Sequence, residues 1–198
     1  MAHFGLWQDE TMNTPATVIA VGRDLGQPNA AKQGRLWFGA KEAYLALQTV
    51  NNAGVDSVAL TPALALPIIA RQAAYNLGDE LVLNGYQYKV TTAGTTAATA
   101  PTYSTNLGDT ITDGTAALQC VSKAHSPNEL KLSLTNSGLA TAVAGAALQL
   151  GTLIQGGGGI EIWYEFLDSV DNVYSGGTPQ LCLSLNECEE IQHIAANP

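Results

Sequence analysis

Charge is what this sequence lacks most. Of its 198 residues only 13% are Asp, Glu, Lys or Arg, about half the charged fraction of an ordinary soluble domain. Too few charges remain to cover an isolated monomer. Much of the surface must be Thr, Ser, Asn, Gln, Gly and Ala, a skin suited to packing among copies or neighbours. The expectation is an assembled subunit, a homo-oligomer or a component bound to other proteins. Basic residues are scarcer still: Arg23, Lys32, Arg35, Lys41, Arg71, Lys89, Lys123 and Lys131 stand singly against a net charge of −9. No Lys/Arg stripe is available to follow a phosphate backbone, which argues against direct nucleic-acid binding.

Other absences exclude further classes. Three cysteines, Cys120, Cys182 and Cys188, are an odd number at no zinc or redox spacing, so no disulfide framework is written here and buried free thiols are expected. The longest weakly polar run, residues 58–70, is interrupted by Thr61, Pro62 and Pro67 and is too short to span a bilayer. The stretch MAHFGLWQDE lacks a basic n-region and an apolar h-region, so it reads as no secretory signal and synthesis in the cytosol is expected.

Catalytic patterns are missing as well. His3, His125 and His193 are not near a Ser or Cys in a nucleophile-elbow or papain-like context, so no triad is visible. Glu161 and Glu165 with Asp168 and Asp171 are the one carboxylate set that could serve glycoside hydrolysis. Strand alternation, however, puts Glu161 and Glu165 on a wet face, where charges normally go. The segment Glu187, Cys188, Glu189, Glu190 and His193 fits no common zinc spacing and reads as a surface edge. No enzyme, cofactor or metal site is expected.

What is present is β structure. Nearly every segment is short, rich in Val, Ile, Leu, Tyr and Thr, and ends in Gly, Asn, Asp or Pro, the pattern of an all-β chain. In Ile160-Glu161-Ile162-Trp163-Tyr164-Glu165-Phe166, residues 160, 162, 164 and 166 share one face and Glu161, Trp163 and Glu165 the other. The first face is core and the second mostly wet. Leu130, Leu132 and Leu134 alternate with polar residues in the same way, as do Leu181, Leu183 and Leu185. Strands are also expected at Thr17–Val21, Arg35–Phe38, within Ala40–Val50, and at Leu148–Leu150 and Leu153–Ile154. Residues 156–159 read as a four-glycine loop without the Lys-Ser or Lys-Thr of a phosphate loop. The stretch from Pro62 to Ala74 reads as a connector holding about one helical turn, and 91–105, TTAGTTAATAPTYST, as a long loop with no core of its own.

One stretch is spelled twice. NLGD begins at Asn76 and again at Asn106, ahead of Asn84-Gly85 and Asp113-Gly114 respectively. Leu81 and Leu83 before the first pair, and Tyr86, Tyr88 and Val90 after it, predict a hairpin with a type I′ turn. Ile111 before the second pair, and Leu118 and Cys120 after it, predict the same device. Asp79 and Asp109 then act as turn formers, accepting from backbone N–H groups two residues on. Each unit offers too few oxygen ligands for calcium.

Tyr75-Asn-Leu-Gly-Asp, Asn84-Gly-Tyr-Gln-Tyr-Lys-Val, the Thr/Gly/Ala loop with Pro101, Gly108-Asp-Thr and Thr112-Asp-Gly-Thr resemble the small β module recurring in tailed-bacteriophage virion proteins, itself similar to chitin-type carbohydrate-binding modules. The likeness covers roughly 70–122. The sugar-binding relatives stack exposed Trp on sugar rings, whereas this window has no Trp. Tyr75, Tyr86, Tyr88 and Tyr103 are therefore the candidate contacts for a glycan or a partner, although tyrosines at alternating strand positions also serve as core. Residues 129–192 resemble an immunoglobulin-like or related β-sandwich accessory domain of phage particles.

Together these readings give an N-terminal β region (1–62), a hairpin-rich carbohydrate-binding-module-like insertion (63–125) and a C-terminal immunoglobulin-like β region (126–198) packing with 1–62. The resemblance implies a non-enzymatic virion protein, an accessory or decoration subunit bridging capsid or tail proteins. Its alternative is a carbohydrate-binding adhesion module for host attachment.

Overall fold

The structure is a computed structural model and describes residues 3–17, 31–167 and 181–192. The chain divides into two compact units: Met1–Ala63, Pro127–Asp168 and Leu183–Pro198 form one, Leu64–Ser126 and Ser169–Cys182 the other. Among the described residues the secondary structure is sixteen β-strands, numbered here in chain order, and two 3₁₀ turns, Pro127–Glu129 and Ser137–Ala140. The chain is all-β, as its alternation predicts. Of the Thr17–Val21 strand expectation, residues 18–21 lie outside the described residues.

Three sheets make the first unit. The largest runs in the order β1 (Gly5–Trp7), β2 (Lys32–Ala40), β14 (Gly158–Phe166) and β11 (Leu130–Ser133), antiparallel throughout. A second has β3 (Leu45–Thr49) between β13 (Ile154–Gln155) and β16 (Cys188–Gln192), and a third has β4 (Val58–Leu64) between β12 (Leu148–Gly151) and β15 (Leu181–Leu185). Their inward faces meet in one core: Phe38, Leu132 and Ile162 from the first sheet, Leu47 and Ile154 from the second, Val58 and Leu60 from the third. Burying each such side chain stabilises by about 1.5–3 kcal/mol. The period of two then dictates what the opposite face of β2 and β14 carries.

The second unit contains the four-stranded order β6 (Glu80–Leu83), β7 (Tyr86–Thr92), β10 (Ala116–Lys123) and β9 (Thr110–Asp113), and the small pair β5 (Ala74–Tyr75) with β8 (Gly94–Thr95). The repeated motif is a structural repeat. Gly78 N–H donates to Val90 O at 2.9 Å and Val90 N–H to Asp79 O at 2.9 Å; thirty residues on, Gly108 N–H donates to Cys120 O at 2.8 Å and Cys120 N–H to Asp109 O at 2.9 Å. Pairing in the middle of the sheet obeys the same offset. Tyr88 opposes Cys120, and Val90 opposes Leu118; adding thirty to Tyr88 and Val90 gives Leu118 and Cys120, so the two pairs exchange. The Lys89–Gln119 pair maps onto itself, which sets a local twofold axis through it, normal to the sheet.

Several local expectations need correction. The first hairpin turns on Asn84 (φ 50°) and Gly85 (φ 77°), the two positive φ angles of type I′. The second does not turn on Asp113-Gly114. Asp113 pairs with Ala116, so the loop is Gly114-Thr115; Gly114 alone has positive φ, 65°, as a type II′ turn requires. Nor is 156–159 a loop throughout, because Gly158 and Gly159 pair with Ala40 and Gly39. Gly156 and Gly157 N–H groups are tied to Leu45 O and Ala40 O.

The connector holds no helical turn. β4 continues through Pro62, and Ile68 bridges Val82 in parallel. Residues 91–105 give part of their length to β7 and β8, and Thr96 is buried because its hydroxyl donates to Ala70 O at 2.7 Å and accepts from Ala73 N–H at 3.1 Å. Leu134 lies past the end of β11 and is exposed. Only Cys120 of the three free thiols is buried; Cys182 is exposed and Cys188 half-buried.

Candidate functional site

The outer face of the β1-β2-β14-β11 sheet gathers all three tryptophans of the sequence. Residues directly opposite in neighbouring strands share a face. Trp7 opposes Trp37, Trp37 opposes Glu161, Arg35 opposes Trp163, Gln33 opposes Glu165, and Glu165 opposes Lys131. Their sequence neighbours Leu36, Phe38 and Ile162 are buried on the other side.

Arg35 is the centre of this surface. Its guanidinium carbon lies 5.1 Å from the Trp37 ring centroid and 5.9 Å from that of Trp163, within cation–π range of both. Its Nη1 donates to Glu161 Oε1 at 3.1 Å. The side chain keeps 56% of its exposure and Glu161 keeps 39%, whereas Trp37 is buried. Trp7 Nε1 donates to Gly39 O at 2.9 Å, and the Lys41 ammonium sits 5.8 Å from the Trp7 ring.

The carboxylates here are paired. Lys131 Nζ and Gln33 Nε2 each donate to Glu165 at 2.7 Å. The Lys131 hydrogen bond, helped by Gln33, holds Glu165 below the usual carboxylate range. A glycosidase acid needs its proton at neutral pH, hence a raised value. The surface is thus arranged for stacking, apolar contact and hydrogen bonding, with Glu165 kept ionised. Asp168 and Asp171 lie outside the described residues, as does His193. Glu189 and Glu190 lie in β16, where they bond Gln48 and His3, and Glu187, just before it, bonds Asn51. Among the described residues no three His, Cys, Asp or Glu side chains converge as a metal set, and no helix is long and apolar enough to cross a membrane.

The tyrosines suggested as glycan or partner contacts lie in the second unit. Tyr88 is buried and its hydroxyl donates to Ser104 O at 3.0 Å. Its ring meets Tyr103 edge-on, centroids 5.1 Å apart. Tyr75, Tyr86 and Tyr103 are half-buried and pack on the same core of Leu81, Val90 and Leu118. The Tyr75 hydroxyl accepts from Ala70 N–H at 2.8 Å. The structure therefore brings the four together as core and core margin.

What sequence reasoning missed in this unit is Asp113. Its buried carboxylate receives Arg71 Nη1 at 2.7 Å, Ala97 N–H at 2.9 Å and the Tyr103 hydroxyl. Burial pushes this carboxyl up, but the hydrogen bonds from Tyr103, Ala97 and Arg71 outweigh it and hold Asp113 below its ordinary value. Burial, with the Asp113 hydrogen bond, pushes the Tyr103 phenol up to about 12. Such a fully bonded network fixes a hairpin.

Asp79 and Asp109 sit as turn formers, with different partners from those expected. Asp79 Oδ2 accepts from Asn76 N–H at 2.7 Å, three residues back. Asp109 accepts from Ser104 Oγ at 2.5 Å and Asn106 Nδ2 at 3.3 Å, and the Ser104 bond leads in lowering its pKa.

No family model, curated protein or solved structure matches this chain.

Proposed function

We propose that this chain is a non-enzymatic structural component of a tailed-bacteriophage virion, an accessory or decoration subunit that docks on capsid or tail proteins. The observation that carries the docking role is one sheet face shared by Trp7, Trp37 and Trp163, with the exposed Arg35 guanidinium lying over the buried Trp37 and over Trp163. Trp and Arg are the residues that dominate binding at protein interfaces, and a paired charge such as Glu165 with Lys131 suits the margin of such a patch. The scarcity of charge over the whole chain agrees with a life among neighbouring subunits. The assignment to a phage particle rests on the resemblance of residues 70–122 and 129–192.

Adhesion to a surface glycan is the competing role. The same indoles would have to offer bare ring faces to a sugar, and here the Arg35 guanidinium stacks over Trp37 and Trp163. That favours a protein partner. Co-sedimentation of the purified protein with assembled particles, run beside a glycan array, separates the two. Saturable particle binding without glycan binding is expected; saturable glycan binding with none to particles would replace this reading by the adhesion module.

A further inference from the structure

We infer that the outer edge of β9 is a docking site for an extended, uncharged segment of a partner protein, added as a parallel strand. This concerns the second unit and does not rest on the tryptophan face. The local twofold of the hairpin pair relates the edge of β6 to the edge of β9, and the chain itself shows what the first edge takes. Val82 N–H donates to Pro67 O at 2.9 Å and Ile69 N–H donates to Val82 O at 3.1 Å, with Ile68 and Val82 bridged in parallel. A Leu-Pro-Ile-Ile segment closes that edge, and Ile69 is buried in the core beneath.

Thirty residues on, Thr112 stands where Val82 stood. Along a strand, successive N–H and C=O pairs alternate in direction. Cys120 bonds Asp109 and Gly108, so two steps along the ladder Leu118 faces Ile111 with inward-pointing groups, and the backbone groups of Thr112 point away from β10. No described residue bonds them, and Thr110 and Thr112 are both exposed. The stretch that would correspond to Pro67–Ile69 is 97–99, Ala-Ala-Thr. Its first N–H is spent instead on the Asp113 carboxylate at 2.9 Å, which anchors it at the hairpin tip rather than along the edge.

Open edges are normally blunted by Lys, Pro or a bulge. Thr110-Ile111-Thr112-Asp113 has no Lys and no Pro, its register with β10 is unbroken, and its β-branched residues favour extended pairing. The occupant's chemistry follows from the closed edge: a carbonyl to receive Thr112 N–H, an N–H two residues later for Thr112 O, apolar side chains around a Pro that needs no donor of its own. Strand addition of this kind takes its affinity from main-chain bonds and its selectivity from alternate side chains.

The probe is an end-capped peptide with the sequence of residues 63–70, ALALPIIA, titrated into the isotope-labelled full chain, with amide hydrogen exchange read residue by residue. In the free chain the Thr112 amide should exchange at least tenfold faster than that of Val82, and saturating peptide should slow it at least tenfold. Thr112→Pro removes only an outward N–H and should fold while losing peptide binding; Thr112→Lys, which keeps the N–H and adds an edge charge, should weaken binding several-fold and covers the case in which the proline variant does not fold. Equal protection of Thr112 and Val82 in the free chain would overturn the inference. So would absent binding at millimolar peptide, or equal affinity for wild type and a folded Thr112 variant.

Discussion

The guanidinium of Arg71 lies 2.7 Å from the carboxylate of Asp113, whose side chain has no exposed surface, while Arg71 keeps about a quarter of its own. The pair joins the segment before β5 to the end of β9. Replacing Asp113 by Ala leaves Arg71 and the Tyr103 hydroxyl without their acceptor and should cost about 3 kcal/mol. Arg71→Ala should cost less, because water can reach its place. Urea unfolding of both variants checks the order.

Asp113 also sets an acid limit. Its folded pKa is depressed, so its contribution is present in full above the unfolded carboxylate value of about 4 and is lost as pH falls through the folded one. Melting curves of wild type and Asp113→Asn between pH 7 and pH 2.5 should differ most at the top of that range and converge below about 4.

The alkaline limit has the opposite sign. Burial raises Tyr88 and Tyr103 to about 12. Their neutral forms therefore stabilise the fold fully below the unfolded value of about 10, and that contribution is lost as pH rises toward 12. Ultraviolet titration should show both among the late-ionising phenols, with Tyr164, which burial also raises, and Tyr103→Phe should remove one of them.

The two turn glycines should not respond alike. A Cβ at Gly85 meets nothing within 4 Å, whereas one at Gly114 runs into Thr95 O and crowds Ala97 N at 2.7 Å. Gly85→Ala should cost about 1 kcal/mol of backbone strain, and Gly114→Ala about 3 kcal/mol with the clash added. Asp79→Asn and Asp109→Asn should cost only a few tenths in thermal unfolding, and calcium should leave all four melting temperatures unchanged.

Strand alternation was legible wherever one face is core, as in 160–166, because apolar and polar residues there take turns. Asp113 was not, since Asp-Gly composition suggests a turn while the thirty-residue offset from Asn84-Gly85 puts the turn on Gly114-Thr115. Aligning the two copies by position instead of by residue type would have freed Asp113 for another role. The tryptophan face was hidden for a different reason: Trp7 and Trp37 come together through β1-β2 pairing, and Trp163 reaches the same face only through β2-β14 pairing across more than a hundred residues. The local signal was there in Arg35-Leu36-Trp37-Phe38, where Arg and Trp take the face opposite Leu and Phe. A proline in a strand, as at Pro62, and a threonine in a core, as at Thr96, are tertiary outcomes that composition does not announce.

The docking role of the tryptophan face is tested most directly by titrating assembled particles with wild type, Arg35→Ala and Trp163→Ala, each checked for a native melting curve. Saturable binding by wild type, weakened at least tenfold in both variants, is the expected result. Equal binding by all three would contradict it.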